Sequence, residues 1–163
     1  MIVHPRPFYR RKSQKKGKTL GYQEKVEQFM LAGDQDVPLQ PTVPNAKTAW
    51  LRLNMLISEL NEYKEAKSAC TYAGMNLGTD RESSRQAALV NMADALADMV
   101  YVIYGTAATY GIDLDNVLEI VHDANMRKLV DGKVLKDEHG KIQKPENWTP
   151  PEPDIHAAMF GGN

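Results

Sequence analysis

The sequence predicts an all-α protein: a helical bundle built on two long rods, completed by dimerisation or by a dimer of dimers. A short hairpin and an extended tail follow at the C-terminus. Three observations predict this. Apolar residues recur at three- and four-residue steps in two long stretches, as Trp50, Leu53, Ile57 and Leu60 and as Ala88, Met92, Leu96, Met99 and Ile103; this is the spacing of one helix face. Helix breakers bound the stretches: Pro38, Pro41 and Pro44 before the first, Gly74 and Gly78 between them, and Gly111 after the second. Each stretch also carries two acids about one turn apart, Glu59 with Glu62 and Asp94 with Asp98.

Taken in order, Gln23 to Leu31 reads as a short helix that stops at Ala32-Gly33-Asp34. The three prolines then hold an extended connection. Asn45 can cap a long helix reaching Ala73. After a loop from Gly74 to Asp80, either Asp80 or Ser83 caps a second long helix that ends at Tyr110. Asp113 caps a third, through Leu129, with Val117, Ile120, Val121 and Ala124 on its apolar face. Lys133 to Gln143 can turn as a hairpin around Asp137-Glu138-His139-Gly140. Pro145 to Pro153, with Trp148 inside, reads as a proline-rich tail. The organisation is therefore a basic flexible arm at 1–20, a helical domain at 21–130, and a hairpin with tail at 131–163. Met99, Tyr101, Val102, Ile103 and Tyr104 cover more than one helix face. A helix apolar on several sides needs neighbours on several sides, and too few come from one chain.

The chain has 163 residues, 42% hydrophobic and 25% charged, enough for one domain with a real core. Cys70 is the single cysteine, which leaves no disulfide framework or cysteine metal site within one chain. No apolar run approaches the roughly 20 residues that span a bilayer, so no membrane partner is expected. No apolar stretch follows the N-terminal charges, against a secretory leader. The net charge of −1 conceals an asymmetry. Residues 1–20 hold Arg6, Arg10, Arg11, Lys12, Lys15, Lys16 and Lys18 and no acid, leaving 13 basic and 21 acidic residues elsewhere, a balance of −8. Such a run is either a solvated arm or a loose contact for nucleic acid or a phosphate substrate.

The acids carry the chemistry. At about 100° per residue, Asn91, Asp94 and Asp98 fall within about 60° of arc, and Glu59 and Glu62 lie about 60° apart. Glu65 continues the first line. An ordinary reading is a solvated edge in which Lys64 and Lys67 pair with Glu62 or Glu65. Asp94 and Asp98 fit that reading less well, because Met92, Ala93, Ala95, Leu96, Ala97, Met99 and Val100 surround them. Converging carboxylates repel unless a cation sits between them, and hard oxygen ligands suit Mg²⁺ or Mn²⁺. A di-iron bundle requires two Glu-x-x-His steps; Glu119 to His122 supplies one, and His4, His139 and His156 supply none.

At these residues the chain resembles the all-α NTP pyrophosphohydrolase superfamily, which includes MazG-like enzymes, dimeric dUTPases and phosphoribosyl-ATP pyrophosphohydrolases. Its signature is Glu-Glu-x-x-Glu on one helix and Glu-x-x-Asp on the next. Glu59 and Glu62 match the last two glutamates of the first motif, and Ser58 replaces its first. Asp98 matches the final aspartate, Ala95 stands in place of the second motif's Glu, and Asp94 lies one residue earlier. Asp94-Ala95-Leu96-Ala97-Asp98, with the aromatic-rich stretch after it, is similar to a phosphoribosyl-ATP-pyrophosphohydrolase-like branch common in phages and bacteria. His122 to Leu129 resembles that branch's His-x-x-Asn-Met-x-Lys segment. Asp131-Gly132-Lys133, Gly140-Lys141, Lys144 and Trp148-Thr149-Pro150-Pro151 continue the likeness, which spans residues 23 to 155.

The resemblance implies a metal-dependent enzyme cleaving a nucleoside triphosphate between the α- and β-phosphates, to give monophosphate and pyrophosphate. It implies Glu59, Glu62, Asp94 and Asp98 as ligands of two or three Mg²⁺ or Mn²⁺ ions, with Glu59, Glu62 and Asp98 catalytic. The changes at Ser58 and Ala95 bear on the metal count. Asn91, Asn125, Lys128, Lys144 and Trp148 are the candidate substrate contacts. dGTP is the first substrate expected, with dUTP hydrolysis or general dNTP housecleaning beside it. A homodimer or homotetramer in the cytoplasm (the host's, if phage-encoded) is the expected setting. A non-catalytic nucleic-acid-binding bundle is the alternative of another class.

Overall fold

The computed structural model describes residues 20–75 and 80–161. The basic arm, apart from Leu20, and most of the loop expected between the long rods lie outside the described residues. Five helices are described: α1 (Tyr22–Ala32), α2 (Ala46–Met75), α3 (Arg81–Thr109), α4 (Leu114–Met126) and α5 (Glu152–Phe160). One hairpin, β1 (Leu129–Val130) with β2 (Lys133–Val134), completes them. The architecture is all-α.

Local chemistry explains the boundaries. The Glu24 carboxylate accepts from the Gly21 amide at 3.1 Å and closes the start of α1. Asn45 Oδ1 accepts from the Thr48 amide at 3.0 Å, the cap the sequence called for. Asp113 caps α4 by accepting from the Asn116 amide. Gly111 sits at φ +65°, and a Cβ there would run into the Gln40 carbonyl, so the turn between α3 and α4 needs glycine.

α2 and α3 run antiparallel. Arg52 touches Gly105, Glu59 faces Asp98 and Cys70 donates to the Ala88 carbonyl, so position falls along α3 as it rises along α2. The seam follows alternating three- and four-residue steps: Arg52, Leu56, Glu59, Tyr63, Ala66, Cys70 and Ala73 on α2 are all buried or half-buried. Ala88, Met92, Ala95, Met99 and Val102 answer on α3. This corrects the expected core stripe. Trp50, Leu53, Ile57 and Leu60 remain 61, 44, 46 and 42% exposed, and Leu96 and Ile103 also face outward. Small residues let two helix backbones approach closely, so the alanine-rich face wins within one chain and the bulkier stripe is left uncovered.

α1 crosses the end of this hairpin. Val26 and Met30 pack with Tyr104 and Ala108 in the small central core, with Val37 and Leu114 at its edge. Half-buried hydrogen bonds tie α1 and α3 to the start of α4: the Gln23 backbone amide donates to Asp115, Gln23 Oε1 accepts from the Leu114 amide, and Tyr104 Oη on α3 donates to Asp115 at 2.8 Å. Burial, followed by that bond to the carboxylate, pushes the Tyr104 phenol up to about 12.

Three further expectations change. α2 continues through Gly74 to Met75. α4 ends at Met126 rather than Leu129, because Asp131 and Gly132, at φ +51° and +75°, turn the chain back and pair Leu129 with Val134. The tail is not wholly extended: α5 starts at Glu152 with Pro153 in its first turn, where a missing N–H costs nothing. The expected turn at Asp137 to Gly140 does form, with the Asp137 amide donating to the Lys141 carbonyl at 2.9 Å.

α3 is also more apolar than the sequence reading allowed. It holds an 18-residue window of mean hydropathy 1.4, long and apolar enough by length and composition to cross a membrane. Asp94 and Asp98 stand in the middle of that apolar stretch, and charges at bilayer depth are costly. Both are exposed, on a helix paired with another acid-bearing helix.

Candidate metal and nucleotide site

The seam between α2 and α3 gathers three carboxylates. Glu59 belongs to the seam stripe itself, Glu62 follows one turn later, and Asp98 lies between Ala95 and Val102 on the facing helix. One ligand oxygen from each lies within 4.8 Å of the others. Glu59 is half-buried, while Glu62 and Asp98 open to solvent. Among the described residues, no lysine, arginine or histidine pairs with any of them. Lys64, which the solvated-edge reading would pair with Glu62 or Glu65, donates to Asn61 Oδ1 at 3.3 Å. Burial, then the charges of Glu62 and Asp98, raise the Glu59 carboxyl above its ordinary range. A rigid set of mutually repelling oxygens with an open side is the donor set a hard divalent cation needs, and a cation there would reverse the repulsion.

Asp94 is exposed one turn before Asp98 and stands outside this convergence. Asn91 lies a further turn back, beside a cavity between the two rods. The other expected substrate contacts form a separate cluster at the C-terminal end of α4. Trp148 Nε1 donates to the Ala124 carbonyl at 2.8 Å, pinning the tail to α4. Lys144 and Lys128 Nζ lie 4.1 and 5.5 Å from the centre of its ring, close enough for cation–π attraction. Lys128 also donates to Asn125 Oδ1 at 2.6 Å. Lys128 lies past the end of α4, so its side chain meets Asn125 across the helix terminus.

The sequence reading missed Arg52. It is 5% exposed on the seam, two turns before Glu59. Its guanidinium donates to Gln35 Oε1 at 2.6 Å and otherwise touches the Met30 and Met55 sulfurs, leaving Nε unbonded. No carboxylate pairs with it among the described residues. The available signal was its place seven residues from Glu59, one heptad along the stripe, and the small Gly105 opposite it.

The phosphoribosyl-ATP pyrophosphohydrolase family model matches residues 26–125, which take in the three converging acids, Asp94 and most of α1 to α4. Among curated proteins, none matches the chain. The match covers more than half of the sequence, and the chain belongs to the phosphoribosyl-ATP pyrophosphohydrolase family, within the MazG-like all-α NTP pyrophosphohydrolases. Membership implies a nucleotide pyrophosphohydrolase, a hydrolase of a kind that typically depends on divalent metal.

Proposed function

We propose that this family member hydrolyses a nucleoside triphosphate between its α- and β-phosphates, releasing a monophosphate and pyrophosphate, with dGTP the first substrate to test. The observation that carries the reading is the convergence of Glu59, Glu62 and Asp98 within the matched stretch, free of any basic partner among the described residues. Glu59, Glu62 and Asp98 hold Mg²⁺ or Mn²⁺, and Asp94 joins them by a change of rotamer. A metal held by these residues would neutralise phosphate oxygens and lower the pKa of a bound water. Glu62, the more exposed glutamate, takes the proton from the attacking water. Asp98 and Glu59 fix the geometry from opposite helices. The Lys128–Trp148–Lys144 cluster supplies positive charge for the phosphate tail or the released pyrophosphate.

Two or three metals fit this chemistry, fewer being expected where Ser58 and Ala95 replace acids of the family pattern. A homodimer or homotetramer completes the bundle. The test is pyrophosphate release from a panel of dNTPs and NTPs with Mg²⁺ or Mn²⁺. Turnover of dGTP first, abolished in Glu62→Gln, is expected; preference for dUTP or indifference to the base would replace dGTP with those roles. No release from any nucleotide, with the protein folded and metal bound, overturns the reading.

A further inference from the structure

Beyond the acids the two rods flank an open hollow of about 370 Å³, a volume within the range of about 300–1,000 Å³ typical of small-molecule sites. Its position is defined by the seam. Asn91 precedes Asp98 by seven residues and Ala69 follows Glu62 by seven, so the cavity begins two turns from the acids on both helices. That is about 10.5 Å along the axis at 1.5 Å per residue, the span of a sugar carrying a base. Ala69, Ala73, Ala87 and Ala88 line it, and their small side chains leave room for a flat two-ring group. Tyr72 lies at its edge with most of its ring open to solvent, available for stacking. Asn91 lines it with a carboxamide that makes no hydrogen bond to any described residue. That side chain offers a donor and an acceptor side by side, the pair that reads a base edge. Ser84 adds a hydroxyl oxygen that can accept, since its proton is already donated to the Asp80 carbonyl.

The opposite direction along the seam has the opposite character. Two turns from Glu59, away from the cavity, lies the buried Arg52, with no carboxylate on it among the described residues. The seam thus runs from an uncompensated positive charge, through the acids, to a neutral cavity with hydrogen-bonding groups. A nucleotide laid along it has its phosphates at the acids and its base in the cavity.

Resting on the proposed hydrolysis, we infer that this cavity holds the purine base of the substrate, with Tyr72 stacking on it and Asn91 reading its edge. The test compares wild type with Ala87→Phe, which fills the cavity from an exposed position, and with Asn91→Ala. KM and kcat are measured over four dNTPs, with circular dichroism for folding and Mn²⁺ titration for the acids. The expected result is a rise in KM for dGTP and dATP of tenfold or more, a kcat changed less than threefold, and unaltered Mn²⁺ affinity. Unchanged KM in both variants overturns the inference, as does a larger effect on pyrimidine than on purine nucleotides. Should the wild type hydrolyse nothing, the catalytic reading fails by itself, and deoxyguanosine binding followed by tyrosine fluorescence or NMR decides for the cavity. Binding lost in Ala87→Phe then sustains the site; no binding by wild type overturns it.

Discussion

Glu59 is the residue at which the mutual repulsion of the acids is felt. The folded protein raises its pKa, first through burial and then through Glu62 and Asp98, so the native chain keeps a proton that the unfolded chain releases. The stability gained is therefore complete below the ordinary carboxylate range and is lost as pH rises through the raised value. At neutral pH, with metal removed by chelation, Glu59→Gln should melt higher than wild type. Like-charge repulsion at a partly exposed site is worth about 1 kcal/mol or less, a shift of about 2–4 °C for a chain of this size. The difference should vanish near pH 4, where the wild-type carboxyl is protonated. Saturating Mn²⁺ reverses the ranking, since a cation at 100 times its Kd stabilises the wild type by about 2.7 kcal/mol and the variant has lost a ligand. Thermal melts across pH with and without Mn²⁺ measure all of this. A variant no more stable than wild type in chelator would mean that the three carboxylates do not repel.

At the scale of elements, α1, α2 and α3 meet at Arg52. A Cβ on Gly105 would lie 3.1 Å from Arg52 Nη1, a few tenths of an ångström too close for the buried guanidinium, and 3.6 Å from Met30 Sδ, an ordinary contact. Gly105→Ala should cost about 1–2 kcal/mol through overpacking. Arg52→Ala should cost about 3 kcal/mol, from the space it opens and the Gln35 oxygen it strands. Arg52→Met, which removes charge and preserves length, should cost within about 1 kcal/mol. In the Arg52→Met background the Gly105→Ala penalty should shrink, a coupling that urea unfolding of the four proteins reads directly. This junction also shows what the sequence concealed. Element positions were legible from breakers and caps: Asn45, Asp113 and the three prolines placed α2, α4 and the connection within a few residues. Helical spacing put four acids on facing edges; Glu59, Glu62 and Asp98 do converge, whereas Asp94, a turn earlier, stands outside the set. Which stripe faced inward was not legible, since 50-53-57-60 and 52-56-59-63 are both periodic, and hydrophobicity favoured the bulkier one. Arg52 was hidden by its charge, because an arginine in a helix reads as surface. α5 was hidden by Pro151 and Pro153, which suit a first helical turn as well as an extended tail.

For the whole molecule, the feature to account for is the uncovered stripe. Trp50, Leu53, Ile57 and Leu60 lie exposed on α2, and Leu96, Val100 and Ile103 on α3. The antiparallel register sets Ile57 level with Val100 and Leu60 near Leu96, so these side chains share one stretch of the hairpin, and at about 100° per residue they lie across each helix from Glu62 and Asp98. Monomers seldom expose that much apolar surface, and α3 is apolar enough to pass for a membrane span. A second copy of the chain presents the same stripe and can cover it isologously. We therefore expect a homodimer, or a tetramer built from dimers, with a melting temperature that rises with protein concentration. Leu53→Lys and Ile57→Lys put charges into that face and touch none of the acids. Each should yield a monomer in light scattering, and each should lower the melting temperature at concentrations where the wild type is assembled. A wild type that is monomeric at micromolar concentration, or lysine variants that assemble as before, would place the interface elsewhere and leave this stripe without its partner.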